Sequence, residues 1–119
     1  MTGSCYRPKA PTATGVMEAL LQVVAGQGTV AVELLQQLSP DEMDIIYVPV
    51  GGGGLISGCA SVLKALAPHV RVVGCQPLAS NIMQQSVAAG HIVQAPSSST
   101  LSDGTAGEPI VIMQLLLLQ

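Results

Sequence analysis

Four consecutive glycines, Gly51 to Gly54, stand between Val48-Pro49-Val50 and the apolar run that opens at Leu55. Between the C-terminal end of a strand and the start of a helix, such a stretch leaves its backbone N–H groups unobstructed at the positive end of a helix dipole. That makes a cradle for an anion, a phosphate above all. A tight turn that needs a positive φ asks for one or two glycines; four in succession after Val-Pro-Val go beyond it. Two other phosphate loops do not fit. A P-loop ends in Gly-Lys-Ser/Thr, whereas Gly58 is followed by Cys59-Ala60, which offer neither the lysine nor the metal-binding hydroxyl. Gly26-Gln27-Gly28-Thr29-Val30-Ala31 has dinucleotide spacing. The acid about twenty residues on, Asp44, precedes the next strand instead of ending it, where a ribose would lie.

The remaining polar residues offer less chemistry. The lysines are Lys9, among prolines, and Lys64, near the end of a helical stretch where the helix dipole favours a solvated cation. His69 and His91 stand at element boundaries with no acid or cysteine at catalytic spacing, and read as surface or capping residues. Three cysteines cannot all pair within one chain, and none makes a Cys-x-x-Cys. Cys59 and Cys75 fall on inferred apolar faces and read as buried structural thiols. Glu33 reads as a solvated charge.

These residues must be positioned by a small set of elements. Residues 1–14 are rich in Pro, Thr and Ala without periodicity, which predicts an unstructured leader. Residues 15–24 fit helix or strand equally. After Gly26-Gln27-Gly28, Thr29 can cap a helix carrying Val30, Leu34 and Leu38 and ending near Ser39-Pro40. Residues 45–50, Ile-Ile-Tyr-Val-Pro-Val, form a run without alternation, as in a parallel strand covered on both faces, with Pro49 near its end. Leu55 to Leu66 reads as a helix with Leu55, Cys59, Val62 and Leu66 inward, and Val70 to Cys75 as a second buried strand. Strand, glycine loop, helix and strand make one βαβ unit, so the class is α/β. Ser80 to Ala89 fits a third helix stopped by Gly90. Ile92-Val93 is a short strand or extended link, and residues 94–107 are polar loop. The tail from Ile110 to Leu118 is apolar throughout.

Composition narrows the function classes. The 119 residues have room for one domain. Charged residues make up 9%, against roughly 25% in an average soluble domain. Seven acidic against four basic residues give a net charge of −3, so no face carries the basic stripe that nucleic-acid binding needs. The N-terminus lacks an apolar signal core, and no stretch approaches the roughly 18 apolar residues of a membrane span. Together with the unpaired thiols this predicts a cytoplasmic, reducing environment, with neither membrane nor nucleic acid as partner.

Four blocks carry a resemblance: Ala25-Gly26-Gln27-Gly28-Thr29, then Val48-Pro49-Val50-Gly51-Gly52-Gly53-Gly54-Leu55, then Gly74-Cys75-Gln76-Pro77, then Ser102-Asp103-Gly104-Thr105-Ala106-Gly107. In this order they closely resemble the pyridoxal-phosphate-dependent serine/threonine dehydratase and serine racemase family, of fold type II. The first two blocks are specific; the last two are weaker alone. The resemblance covers about Ala25 to Gly107 and matches the C-terminal part of the cofactor-binding region of such enzymes. It implies a fragment of a fold type II enzyme, a partial parallel open sheet with one βαβ unit. The expected organisation is a leader over 1–14, a partial α/β cofactor-binding domain over 15–107, and a divergent apolar tail over 108–119.

The resemblance further implies pyridoxal phosphate as cofactor, its phosphate received by the backbone N–H groups of Gly51, Gly52, Gly53 and Gly54. The family's Schiff-base lysine lies in a Ser-x-Lys segment far upstream of the glycine loop, and neither Lys9 nor Lys64 matches it. No catalytic residue is therefore assigned. Some members place a divalent cation near a Glu-Pro pair; here the corresponding positions hold Gln76, Ser80 and Ile82, so no metal is expected. Asp103 matches the family's Asp-Gly loop, as it would an ordinary Asp-Gly turn. The parent chemistry would be elimination of water and ammonia from serine or threonine, or racemisation at Cα, with a small amino acid as substrate. The alternatives are a non-catalytic phosphate-binding module and an interaction fragment that associates with a full-length subunit or with its own copies. Low charge and the apolar tail predict that the isolated chain does not persist as a stable monomer.

Overall fold

A computed structural model describes residues 13–95 and 100–105 of the chain. Strands β1 (Ile45–Pro49) and β2 (Arg71–Cys75) pair in parallel, in register from Ile45↔Arg71 to Pro49↔Cys75, and helix α2 (Gly54–Leu66) crosses between them. This is the expected βαβ unit. Pro49 is tolerated because it is the last residue of its strand. The ladder is extended past it by Val50 N–H donating to Cys75 O at 2.9 Å. Helix α3 (Ile82–Ala89) follows and stops at Gly90, whose φ of 71° is the left-handed conformation that glycine adopts freely. Ile92 and Val93 belong to no strand.

The N-terminal region departs from expectation. Residues 13–37 form one helix, α1 (Ala13–Gln37), which begins inside the expected leader and runs through Gly26-Gln27-Gly28 without a break. Thr29 does not cap it; its hydroxyl donates back to Gly26 O at 2.7 Å. The glycines serve a helix crossing. A Cβ on Gly58 of α2 would lie 2.5 Å from Gly28 N and 2.5 Å from Val24 O, so the two backbones nearly touch. That close approach offsets the roughly 1 kcal/mol by which each glycine disfavours a helix. Within α1, Gly15–Gln37 is long and apolar enough to cross a membrane by length and composition, which corrects the expectation that no stretch approaches such a span. Ala31 is fully buried and Leu34 and Leu35 pack on the core, while Val16, Met17, Leu21 and Val23 are exposed.

The core sits between α1, α2 and the strands. One cluster holds Ala31, Met43, Cys59, Leu63, Ala67 and Val70; a second, at the C-terminal ends of the strands, holds Val48, Val50, Ile56 and Met83. On α2 the inward stripe is Ile56, Cys59 and Leu63. Leu55 and Val62 pack only partly, and Leu66, expected inward, is 64% exposed. The strands are not buried on both faces. Val48 and Val50 face α2, whereas Tyr47 beside them is 68% exposed, and Cys75, expected to be buried, is exposed at the end of β2. Helical cover lies on one face of a two-stranded sheet, so the apolar runs meet water on the other. Residues 106–119, including the expected tail over 108–119, and most of the leader lie outside the described residues.

Candidate functional site

After Val50 the chain leaves β1 and turns through the glycine block into α2. Gly53 is the residue that makes the turn. It takes φ 93°, caps α2, and its carbonyl accepts the first helical hydrogen bond from Ser57 N–H at 3.1 Å. Among the described residues, the backbone N–H groups of Gly51, Gly52 and Gly53 donate no hydrogen bond. Three donors with no described acceptor thus stand at the N-terminus of a 13-residue helix, where the dipole favours negative charge. Ser57, in the first turn of α2, is buried with its hydroxyl oxygen unpartnered.

The second glycine loop closes on the first. A Cβ on Gly51 would lie 2.9 Å from Gly104 O and 3.5 Å from Thr105 Cα, so Ser102-Asp103-Gly104-Thr105 is packed against the start of the glycine block. That loop is a short 3-10 turn held by Thr105, whose N–H and hydroxyl both donate to Ser102 O, at 3.0 and 2.8 Å. Asp103 is exposed at its tip. The third block reaches the same region through its side chain: Gln76 donates to Val50 O at 3.1 Å and accepts from Gln84 N–H at 3.0 Å. Beside these residues a cleft of about 580 Å³ opens at the carboxyl ends of the strands, lined by Val50, Ile56, Gly74, Gln76, Met83 and Gln84. This is where ligands of open α/β sheets gather.

Three of the four blocks therefore converge. The first does not join them: Gly28 packs on Gly58 and Val62 of α2. Lys64 stands in the last turn of α2, ten residues beyond Gly54 and so about 15 Å further along the helix axis. Lys9 lies outside the described residues. Both histidines hold exposed turns, His69 Nε2 against Pro40 O at 2.9 Å and His91 Nδ1 against Ala89 O at 3.0 Å. Cys59 is 2% exposed, and burial pushes its thiol above the ordinary value of 9.0, with a backbone hydrogen bond involving Ala31 pulling the other way. Among the described residues no three His, Cys, Asp or Glu side chains group as metal ligands. The arrangement offers backbone donors to an anion, and among the described residues no lysine stands beside it. Sequence reasoning missed the buried Ser57 hydroxyl and the Gln76 bridge; a polar residue in the first turn of an otherwise apolar helix was the available signal for the former.

The profile of the family described as pyridoxal-phosphate dependent enzyme matches residues 12–118. Serine racemase of Arabidopsis thaliana is 42% identical over 83 residues, covering 70% of this chain and 24% of the relative. L-threonine ammonia-lyase of Geobacter sulfurreducens is 48% identical over 84 residues, covering 71% of this chain and 20% of the relative. The structure of maize serine racemase superimposes with a TM-score of 0.71 at 40% identity, covering 79% of this chain and 29% of that one. The chain spans about a quarter of the length of the relatives it matches.

Proposed function

The chain belongs to the pyridoxal-phosphate-dependent enzyme family, and we propose on that premise that Gly51 to Gly54 form its phosphate-binding loop. The observation that carries the reading is the set of N–H groups on Gly51, Gly52 and Gly53 at the start of α2, which have no acceptor among the described residues and are braced from behind by Gly104. The fit is to the phosphate end of the cofactor only. The one lysine among the described residues, Lys64, is at the far end of α2, and no described side chain at the loop can serve as the amine that anchors the cofactor. When bound in a complete site, the cofactor draws electrons from the Cα of an amino acid. This chain's residues contribute binding and orientation: the loop fixes the phosphate, and the cleft beside it presents the apolar side chains of Val50, Ile56 and Met83 with the amides of Gln76 and Gln84.

The relatives named serine racemase and L-threonine ammonia-lyase make a small amino acid the substrate of the complete site. The described residues act as a phosphate-binding module, and turnover needs a lysine at the loop that they do not supply. The test is a titration with pyridoxal phosphate. The chain should bind it without releasing pyruvate or 2-oxobutyrate from serine or threonine above a cofactor-only control. Gly53→Asp places a side chain at φ 93° and a negative charge where the anion lies, and should remove the binding. A folded Gly53→Asp variant that binds as tightly as the parent, or turnover abolished by Lys64→Ala, would overturn the reading.

A further inference from the structure

Val50 is 4% exposed and is the last residue before the glycine block. Its carbonyl accepts a hydrogen bond from Gln76 Nε2 at 3.1 Å, while Oε1 of the same amide accepts from Gln84 N–H at 3.0 Å. Gln84 is the third residue of α3, so its N–H is one of the four that a helix start leaves without an internal partner. One half-buried side chain at the end of β2 thus ties the exit of β1 to the start of α3. We propose that Gln76 is a positioning residue for the glycine loop: by holding the Val50 carbonyl it sets the direction in which Gly51 N–H points into the cradle. The proposal rests on the reading of that loop as a phosphate site.

Peptide geometry couples the two groups. The Val50 C=O and the Gly51 N–H belong to the same planar trans unit and point in opposite directions. Fixing the oxygen on one side therefore fixes the N–H on the other. Val50 is held twice, by Gln76 at its oxygen and by Cys75 O at its nitrogen at 2.9 Å. Gly51 has no side chain to hold it and is backed by Gly104 O, where a Cβ would come within 2.9 Å. Without the amide, the Val50–Gly51 peptide is free to rotate as glycine allows. Only a side chain that donates and accepts at once satisfies both partners. An ionised carboxylate is acceptor-only, so it keeps the bond to Gln84 N–H but faces the Val50 carbonyl with a second acceptor. An alkyl group forms neither bond and leaves a buried carbonyl unsatisfied.

The difference between Gln76→Glu and Gln76→Leu supplies the test, read by amide hydrogen exchange with mass spectrometry and by affinity for pyridoxal phosphate and for inorganic phosphate. In Gln76→Glu, the protected part of the exchange over residues 48–54, carried by the Val50 N–H that is bonded to Cys75 O, should speed up about tenfold while α3 and residues 59–66 of α2 keep the parent's protection. Phosphate affinity should fall about tenfold, the order of effect expected of one hydrogen bond whose partner is left unsatisfied. In Gln76→Leu, exchange should rise over the start of α3 as well. A loss of protection spread evenly over α2 would make Gln76 a general stabiliser and overturn the proposal. Unchanged exchange over 48–54 together with parent-like affinity in Gln76→Glu would also overturn it. If the parent chain binds neither probe, the phosphate reading falls and with it the role of Gln76 toward that ligand; the exchange pattern then still decides whether Gln76 orders the loop.

Discussion

Gly58 stands where α2 crosses α1, and an alanine there drives its Cβ straight into the backbone of α1. The added Cβ would lie 2.5 Å from Gly28 N, 2.5 Å from Val24 O and 2.8 Å from Gln27 C, all backbone atoms that no rotamer change can move. Carbon atoms settle at about 3.5–4.0 Å from one another, so the helices must part by about 1 Å. A gap of that size forfeits about a quarter to a half of the dispersion attraction between the atoms that face each other across it. The weakening spreads to Ala31, Cys59 and Leu63, which pack in the same cluster. Overpacking of this kind costs about 3 kcal/mol at the upper end of its usual range. Alanine recovers about 1 kcal/mol over glycine in a helix interior, which leaves a net destabilisation of about 2 kcal/mol. Gly26 carries the control. It lies in the interior of α1 with nothing within 4 Å of its would-be Cβ, so Gly26→Ala keeps the propensity gain of about 1 kcal/mol with no clash. Gly28 falls between, its Cβ meeting Val62 Cγ2 at 3.1 Å and Gly58 O at 3.2 Å. Urea unfolding followed by circular dichroism should rank the variants Gly26→Ala, Gly28→Ala, Gly58→Ala from most to least stable. A Gly58→Ala chain as stable as the parent would show that α1 and α2 do not meet at these glycines.

The thiols should separate: with peptide mapping, Cys75 is expected to react with a maleimide in the folded chain and Cys59 only on unfolding, and equal labelling would contradict the burial of Cys59. Because burial holds the Cys59 thiol above 9.0, the folded chain keeps a proton that the unfolded chain gives up. The stabilisation is whole below about pH 9 and is lost as pH rises past that value, and Cys59→Ala should abolish this slope in the urea midpoint. Ser57→Ala removes a buried hydroxyl without a partner and should raise stability by about 1 kcal/mol; a fall would mean that the hydroxyl is bonded. Light scattering should find the chain associated, with and without residues 108–119, because Tyr47 and the outer face of the sheet are uncovered in either case; a monodisperse monomer with a sharp melt would count against this.

Local chemistry was readable in the sequence. The glycine block identified the turn, Pro49 marked the end of β1, Gly90 the end of α3, and the run from Leu55 to Leu66 gave α2 to within a residue. The class and the βαβ unit followed from these. What was not readable depends on neighbours distant in the chain. Gly26-Gln27-Gly28 looks like a break until Gly58 is placed against it, because a glycine that ends a helix and one that admits a second helix are the same letter. Thr29 resembled a cap for the same reason. The packing of Gly104 on Gly51 joins residues more than fifty positions apart and leaves no local trace. Gln76 was legible only as a position where a carboxylate is replaced; that its amide holds Val50 depends on where α3 begins.

The errors over burial share one cause. An apolar run without alternation describes a strand with cover on both faces, and Ile45 to Val50 is such a run. Yet the two strands pair only with each other among the described residues, and α2 covers one face, so Tyr47 and Cys75 point to water although Val48 and Val50 are buried. The same holds for Val16, Met17, Leu21 and Val23 on the first half of α1, and for Leu66 on α2. These residues have the composition of interior positions and the exposure of surface ones. In a chain with 9% charged residues that covers about a quarter of its relatives, the simplest physical account is that the pattern was written for a wider sheet and further helices. Hydrophobic pattern reports the surroundings a residue is suited to, and packing reports the surroundings it has. Where the two disagree, as they do along one face of this sheet, apolar side chains such as Tyr47 are left in water.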